Sequence, residues 1–103
     1  MSVIEVTKAN FEAEVLRSEV PVIADFNAAW CGPCRSMKPM LDELAEGNTA
    51  YKIVSIDIDA EDELAEDYDI TSIPCLVVFK GGEEVNRSVG LIPRDAIAAL
   101  VEG

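Results

Sequence analysis

The run Val20-Pro21-Val22-Ile23-Ala24-Asp25-Phe26 constrains the fold of this chain more than any other segment. It is apolar almost without interruption and does not alternate. A strand of that composition has no face to offer to water, so it belongs at the centre of a sheet covered on both sides. Pro21 stands near its start, where a missing N–H donor is tolerated. The flanking sequence supplies the covering layers. Val3 to Val6 reads as a short first strand, and Thr7 or Asn10 can cap a helix presenting Phe11, Val15 and Leu16 on one side. A second helix is expected from about Cys31 to Glu46, with Met37, Met40, Leu41 and Leu44 toward the sheet and Gly47 as its stop. Pro39 inside it removes one backbone bond and is expected to kink the axis. Tyr51 to Ile58 reads as a strand and Asp59 to Tyr68 as a short acidic helix. Cys75 to Lys80, then Gly81-Gly82, then Glu83 to Val89 read as a hairpin. Pro93 can open a last helix with Ile97, Leu100 and Val101 as its apolar stripe. Strands joined through helices imply an α/β fold, a mixed sheet with helices on both faces.

A chain of 103 residues, half of them apolar, is expected to form a single domain over residues 1–103 with a real core. No apolar run reaches the roughly 18 residues that span a bilayer. The start Met1-Ser2-Val3-Ile4-Glu5 has no basic leader before an apolar stretch, so no secretory signal is expected. Three cysteines, an odd count, argue against a structural disulfide framework and for a reducing compartment, with the cytoplasm as the expected location. Eight basic against 20 acidic residues give a net charge of -12, which disfavours nucleic acid and anionic membranes as partners. With no histidine in the chain, a Cys-His nucleophile pair and any histidine metal ligand are excluded.

Cys31 and Cys34 stand three apart at an expected helix start. One helical turn brings such positions side by side, at a separation a disulfide can bridge. Unsatisfied N–H groups and the positive end of the helix dipole favour a thiolate there, and the thiolate is the attacking species. Cys31 is therefore the expected nucleophile. Cys34, one turn deeper and expected to be less exposed, would resolve the mixed disulfide. A zinc half-site would need two further ligands, whereas only Cys75 is on offer, so no metal is expected. An inert pair of core cysteines is the remaining alternative, disfavoured by the Gly32-Pro33 insert and the adjacent Trp30. Asp25 shares a strand face with Ile23 among apolar neighbours, and an unpaired buried carboxylate there would have a raised pKa. A solvated or edge-strand aspartate is the alternative.

The segment Asp25-Phe26-Asn27-Ala28-Ala29-Trp30-Cys31-Gly32-Pro33-Cys34 resembles the active-site segment of the thioredoxin family. The resemblance continues through Ile73-Pro74, Phe79-Lys80-Gly81-Gly82-Glu83 and Val89-Gly90, in the same order over essentially the whole chain. It implies a thioredoxin fold, a central mixed five-stranded sheet flanked by four helices. It implies a general protein disulfide reductase working through a reversible Cys31–Cys34 dithiol/disulfide, without a cofactor, as a monomer. Electrons would come from a thioredoxin reductase and pass to disulfide-containing client proteins. By resemblance Asp25 is the general base for Cys34, acting through water, and Pro74 is a cis-proline beside the cysteine pair. The main chain at Ile73 would pair with substrate, and Trp30, Gly32, Pro33 and Gly90 would form the apolar surface around the site. Simple core packing is the alternative for Trp30, and a trans proline opening a strand is the alternative for Pro74. Oxidase and isomerase relatives usually carry a histidine between the cysteines, so its absence here implies poise toward reduction.

The chain departs from the family at four places. Asn27 stands where an aromatic is usual. Ser55 stands where many members have a lysine near the buried aspartate, which implies a higher pKa for Asp25. Cys75 follows Pro74 in place of Thr, either as a small buried residue or as a third reactive thiol. Lys38 on the active-site helix is expected to face solvent. Two other functions remain compatible with the sequence: a scaffold subunit in which the redox pair is incidental, and an electron donor dedicated to one enzyme.

Overall fold

The computed structural model describes residues 2–102. Its centre is a five-stranded sheet in the order β1-β3-β2-β4-β5. The strands are β1 Ile4–Glu5, β2 Val22–Asn27, β3 Lys52–Asp57, β4 Cys75–Lys80 and β5 Glu83–Val89. β1 and β2 run parallel to β3, while β4 runs antiparallel to both β2 and β5, so the sheet is mixed as expected. The apolar run becomes β2, paired along both edges, with Val22 to Phe26 all buried. Helices α1 Gly32–Glu46, α2 Asp62–Asp67 and α3 Arg94–Glu102, with a π-helical turn Glu12–Leu16, supply the cover.

Alternation along β2 divides the core in two. Val22, Ala24 and Phe26 pack with Phe11, Val15, Val54 and Leu64 beneath the π-helical turn and α2. There Phe11, Phe26, Tyr68 and Phe79 form a ring cluster with centroids 5.3–6.3 Å apart. On the other face Ile23 packs with Met37, Leu41, Ile53, Leu76 and Ile97 beneath α1 and α3. Partly buried Met40, Leu44, Leu100 and Val101 extend that cluster, so both expected helical stripes face the sheet.

The element bounds differ from the sequence reading for local reasons. The first helix is a short π-helical turn, in which Arg17 N–H donates to the Glu12 carbonyl at 2.9 Å. Lys52 Nζ, arriving from β3, donates to the Glu14 carbonyl at 2.6 Å and to its carboxylate at 3.0 Å. Neither Thr7 nor Asn10 caps the π-helical turn, since its N-cap is Phe11 with no side-chain cap bond; they close the turn ahead of it, where Thr7 Oγ1 accepts from Ala9 N–H at 3.2 Å and Asn10 Oδ1 accepts from Thr7 N–H at 2.7 Å. The acidic helix begins at Asp62 rather than Asp59 because Asp57 closes a turn ahead of it. Its carboxylate accepts from Asp59 N–H and its carbonyl from Glu61 N–H. α1 runs continuously through Pro39, which has no N–H for the Arg35 carbonyl one turn back. No helix of the described residues is long and apolar enough to cross a membrane.

Gly81 and Gly82 join β4 to β5 with φ of 60° and 84°, the left-handed pair that a two-residue hairpin turn requires. Gly82 has a second constraint, since a Cβ there would lie 2.9 Å from the Leu16 carbonyl oxygen at the end of the π-helical turn. Gly82→Ala is expected to lower stability by about 1–3 kcal/mol. Gly81→Ala, which meets no atom within 4 Å, is expected to lose less. Urea unfolding of both variants checks the difference.

Candidate active site

β2, the central strand, ends at Asn27, and the chain turns through Ala28–Trp30 straight into α1. This places the site beyond the carboxyl end of a parallel strand, where open α/β sheets leave room for a ligand. Two contacts set the turn: Cys31 N–H donates to the Ala28 carbonyl at 3.1 Å, and Arg35 Nη1 donates to the Ala29 carbonyl at 2.8 Å. Cys31 is the N-cap of α1, and its Sγ accepts from Cys34 N–H at 3.2 Å. A cysteine in that position receives the orphan donors of the first turn, which favour sulfur as thiolate. Pro33 sits in this first turn, where its missing N–H leaves no bond unmade.

Cys31 and Cys34 form a disulfide across the first turn, with Cα atoms 5.2 Å apart. Both residues are 5 % exposed, so the expected difference in burial between them is absent. The two cysteines pack together against Ala28 and the partly buried Ile58 and Ile73. Trp30 is 66 % exposed, which removes the core-packing alternative, and its indole N–H donates to Asp59 Oδ2 at 2.8 Å. That bond spans 29 residues and has no signal in the sequence. The Ile73–Pro74 bond is cis, and the buried Pro74 carbonyl accepts from Gly90 N–H at 2.7 Å. Val89 and Leu91, on either side of Gly90, are exposed. Gly32 is half-buried and Pro33 exposed. Cys75 is free and 1 % exposed in the cluster with Phe26, and burial pushes its thiol up from its ordinary value. It is a packing residue in a different cluster from the Cys31–Cys34 pair. Lys38 faces solvent as expected and pairs with Asp42 at 3.1 Å.

Asp25 is 6 % exposed, the buried charged residue of the described core. It lies opposite Ser55 in the β2–β3 register and lines a cavity of about 470 Å³ with Cys34, Asn27, Ser55 and Lys38. Burial pushes its carboxyl up to about 7. A hydrogen bond donated by the Asn27 amide holds it down in part, and the nearby Glu5 charge adds to the rise. Its Oδ1 has no hydrogen-bond partner among the described residues. The apolar neighbours in the sequence indicate this burial, but they do not indicate Asn27 as the partner.

A carboxyl that ionises near 3.8 in the unfolded chain and near 7 in the fold binds more protons when folded across that interval. Stability therefore falls as pH rises through it, and the penalty is fully developed above the folded value. A shift of that size corresponds to an order of magnitude of about 4 kcal/mol. Asp25→Asn is expected to exceed the parent in stability by a few kcal/mol at about pH 8, with the gain fading toward about pH 4. Denaturant unfolding of the oxidised proteins at both pH values measures it.

Comparison with known proteins agrees with this geometry. A family model described as Thioredoxin matches residues 2–103. A thioredoxin of Bacillus subtilis is 46% identical over 102 residues, 98% of this chain and 96% of the relative. A thioredoxin of Pyropia yezoensis is 44% identical over 102 residues, 98% of this chain and 95% of the relative. Among solved structures, a single-site mutant of a thioredoxin from Halobacterium salinarum NRC-1 superimposes with a TM-score of 0.90 at 35% identity. That match covers 98% of this chain and 88% of the other. A bifunctional thioredoxin reductase/thioredoxin of Mycobacterium leprae is 44% identical over 88 residues, 84% of this chain and 19% of that protein.

Proposed function

The chain belongs to the thioredoxin family and is a dithiol–disulfide oxidoreductase, and on that premise we propose a role for each residue of its site. The observation that carries the assignment is the cysteine pair across the first turn of α1, with Cys31 as N-cap. In the reduced protein the Cys31 thiolate attacks a client disulfide. The client S–S bond breaks, a Cys31–client disulfide forms, and one client sulfur leaves as thiolate. Asp25 takes the proton of Cys34 through water in the cavity that both residues line. The Cys34 thiolate then attacks the Cys31 sulfur, closing the intramolecular disulfide and releasing the second client thiolate. Two electrons have passed to the client.

Substrate would lie along the surface of Trp30, Gly32, Pro33, Pro74 and Gly90, with the Ile73 main chain pairing to the client backbone. The exposure of Trp30, Val89 and Leu91 supports that surface. A thioredoxin reductase would return two electrons to the pair, and Asp25 would give its proton back to Cys34. The Mycobacterium leprae relative, whose name joins the two activities in one protein, supports that donor. We further propose that residues 1–103 act as one monomeric domain, serving general disulfide-containing clients in the cytoplasm.

Insulin reduction by dithiothreitol tests the roles. Cys31→Ser is expected to abolish catalysis. Cys34→Ser is expected to keep the first attack and accumulate a mixed disulfide on Cys31, seen as a mass adduct. Undiminished turnover by Cys31→Ser overturns the reading.

A further inference from the structure

Asn27 stands two residues after Asp25 on the same face of β2. Its amide nitrogen reaches three acceptors: Ser55 Oγ at 2.8 Å, the Asp25 carbonyl at 2.9 Å and Asp25 Oδ2 at 3.3 Å. An amide has only two hydrogens, so the long contact to Oδ2 shares one with a shorter bond. The two short bonds anchor the amide to β2 and β3, and the shared one seats one carboxylate oxygen. The other oxygen, Oδ1, is buried without a hydrogen-bond partner among the described residues. The two oxygens of Asp25 are thus made unequal by one side chain.

We propose that Asn27 is a positioning residue for the redox reaction, seating Asp25 Oδ2, reserving Oδ1 for the transferred proton and stabilising the ionised carboxylate. This rests on the reading of Asp25 as the base for Cys34. The charged and titratable groups around the shared cavity are Glu5 from β1, Asp57 from β3, and Cys34, Arg35, Lys38 and Asp42 from α1. β4 places Leu76 opposite Asp25. The α1 cations have other bonds, Arg35 to the Ala29 carbonyl and Lys38 to Asp42. The donor bonded to the carboxylate is therefore a neutral amide. A hydrogen bond to an ionised acceptor is stronger than one to a neutral acceptor. Ionisation thus draws the shared hydrogen toward Oδ2, and protonation lets it return to Ser55 and the carbonyl. Removing the amide leaves the carboxylate with its burial and with Glu5, and no donor opposes them.

The test follows Asp25 directly, by the carboxyl carbon shift of the oxidised protein across pH, and indirectly, by kcat/KM for insulin reduction across pH. Asn27→Leu and Asn27→Ala remove the donor, Asn27→Ser keeps a hydroxyl, and Asp25→Asn identifies the inflection belonging to the carboxyl. Leu and Ala are expected to raise the midpoint by about one pH unit in both readouts, and Ser by less. An Asp25 midpoint in Leu or Ala that coincides with the parent overturns the inference. So does an activity loss uniform across pH, which a purely structural role would give. If the Leu variant fails to fold, the Ala midpoint decides. Persistence of the inflection in Asp25→Asn overturns the base assignment and this inference together. Its disappearance there without movement in the Asn27 variants overturns this inference alone.

Discussion

Strand β2 has no face or edge left for solvent. β3 and β4 occupy its two edges, α1 and α3 cover one side, and the π-helical turn with α2 covers the other. Every further feature of the site is placed relative to this strand. Its carboxyl end launches α1, so the cysteine pair sits on a rigid element rather than a free loop. Its central position also buries the polar residue Asp25 within it, leaving only a cavity on one side. Asp25 is held at a distance from solvent by the same packing that stabilises the rest of the sheet.

That arrangement sets stability against chemistry. A leucine or valine at position 25 would suit the α1 face of β2 better, beside Ile23 and Leu76. The carboxyl is retained at a destabilising cost that grows as it ionises, and what it supplies is a group that exchanges a proton near neutral pH. Buried carboxylates with shifted ionisation are a mark of functional sites because packing alone gives no reason to keep them. The polar groups beside Asp25, Asn27 and Ser55, bond to each other at 2.8 Å, and of the two only Asn27 reaches the carboxylate.

Much of this is legible in the amino-acid sequence. The unbroken apolar run marks β2, the helical spacing of Met37, Met40, Leu41 and Leu44 marks the inner face of α1, and the glycine pair marks the hairpin. The site is legible for a chemical reason, since Cys31-Gly32-Pro33-Cys34 couples two thiols to a helix start in one short segment. What escapes a sequence reading depends on partners far along the chain. The Glu14 carbonyl within the π-helical turn accepts from Lys52, 38 residues away. The indole of Trp30 is held by Asp59, and the Asn27 amide bridges to Ser55 across 28 residues. Equal burial of the two cysteines likewise depends on Ala28, Ile58 and Ile73, which the helix start alone does not reveal.

The depth of that disulfide has a kinetic consequence. Cys31 and Cys34 are each only 5 % exposed and share one small cluster with Ala28, Ile58 and Ile73, so a single exchanging molecule fills the access to the pair. Two exchange partners therefore cannot engage the pair together. Turnover is then a double displacement, in which one partner leaves before the next arrives, and an excess of either one occupies the pair and slows the other. Flux through the protein then depends on the ratio of its two partners as well as on the amount of each.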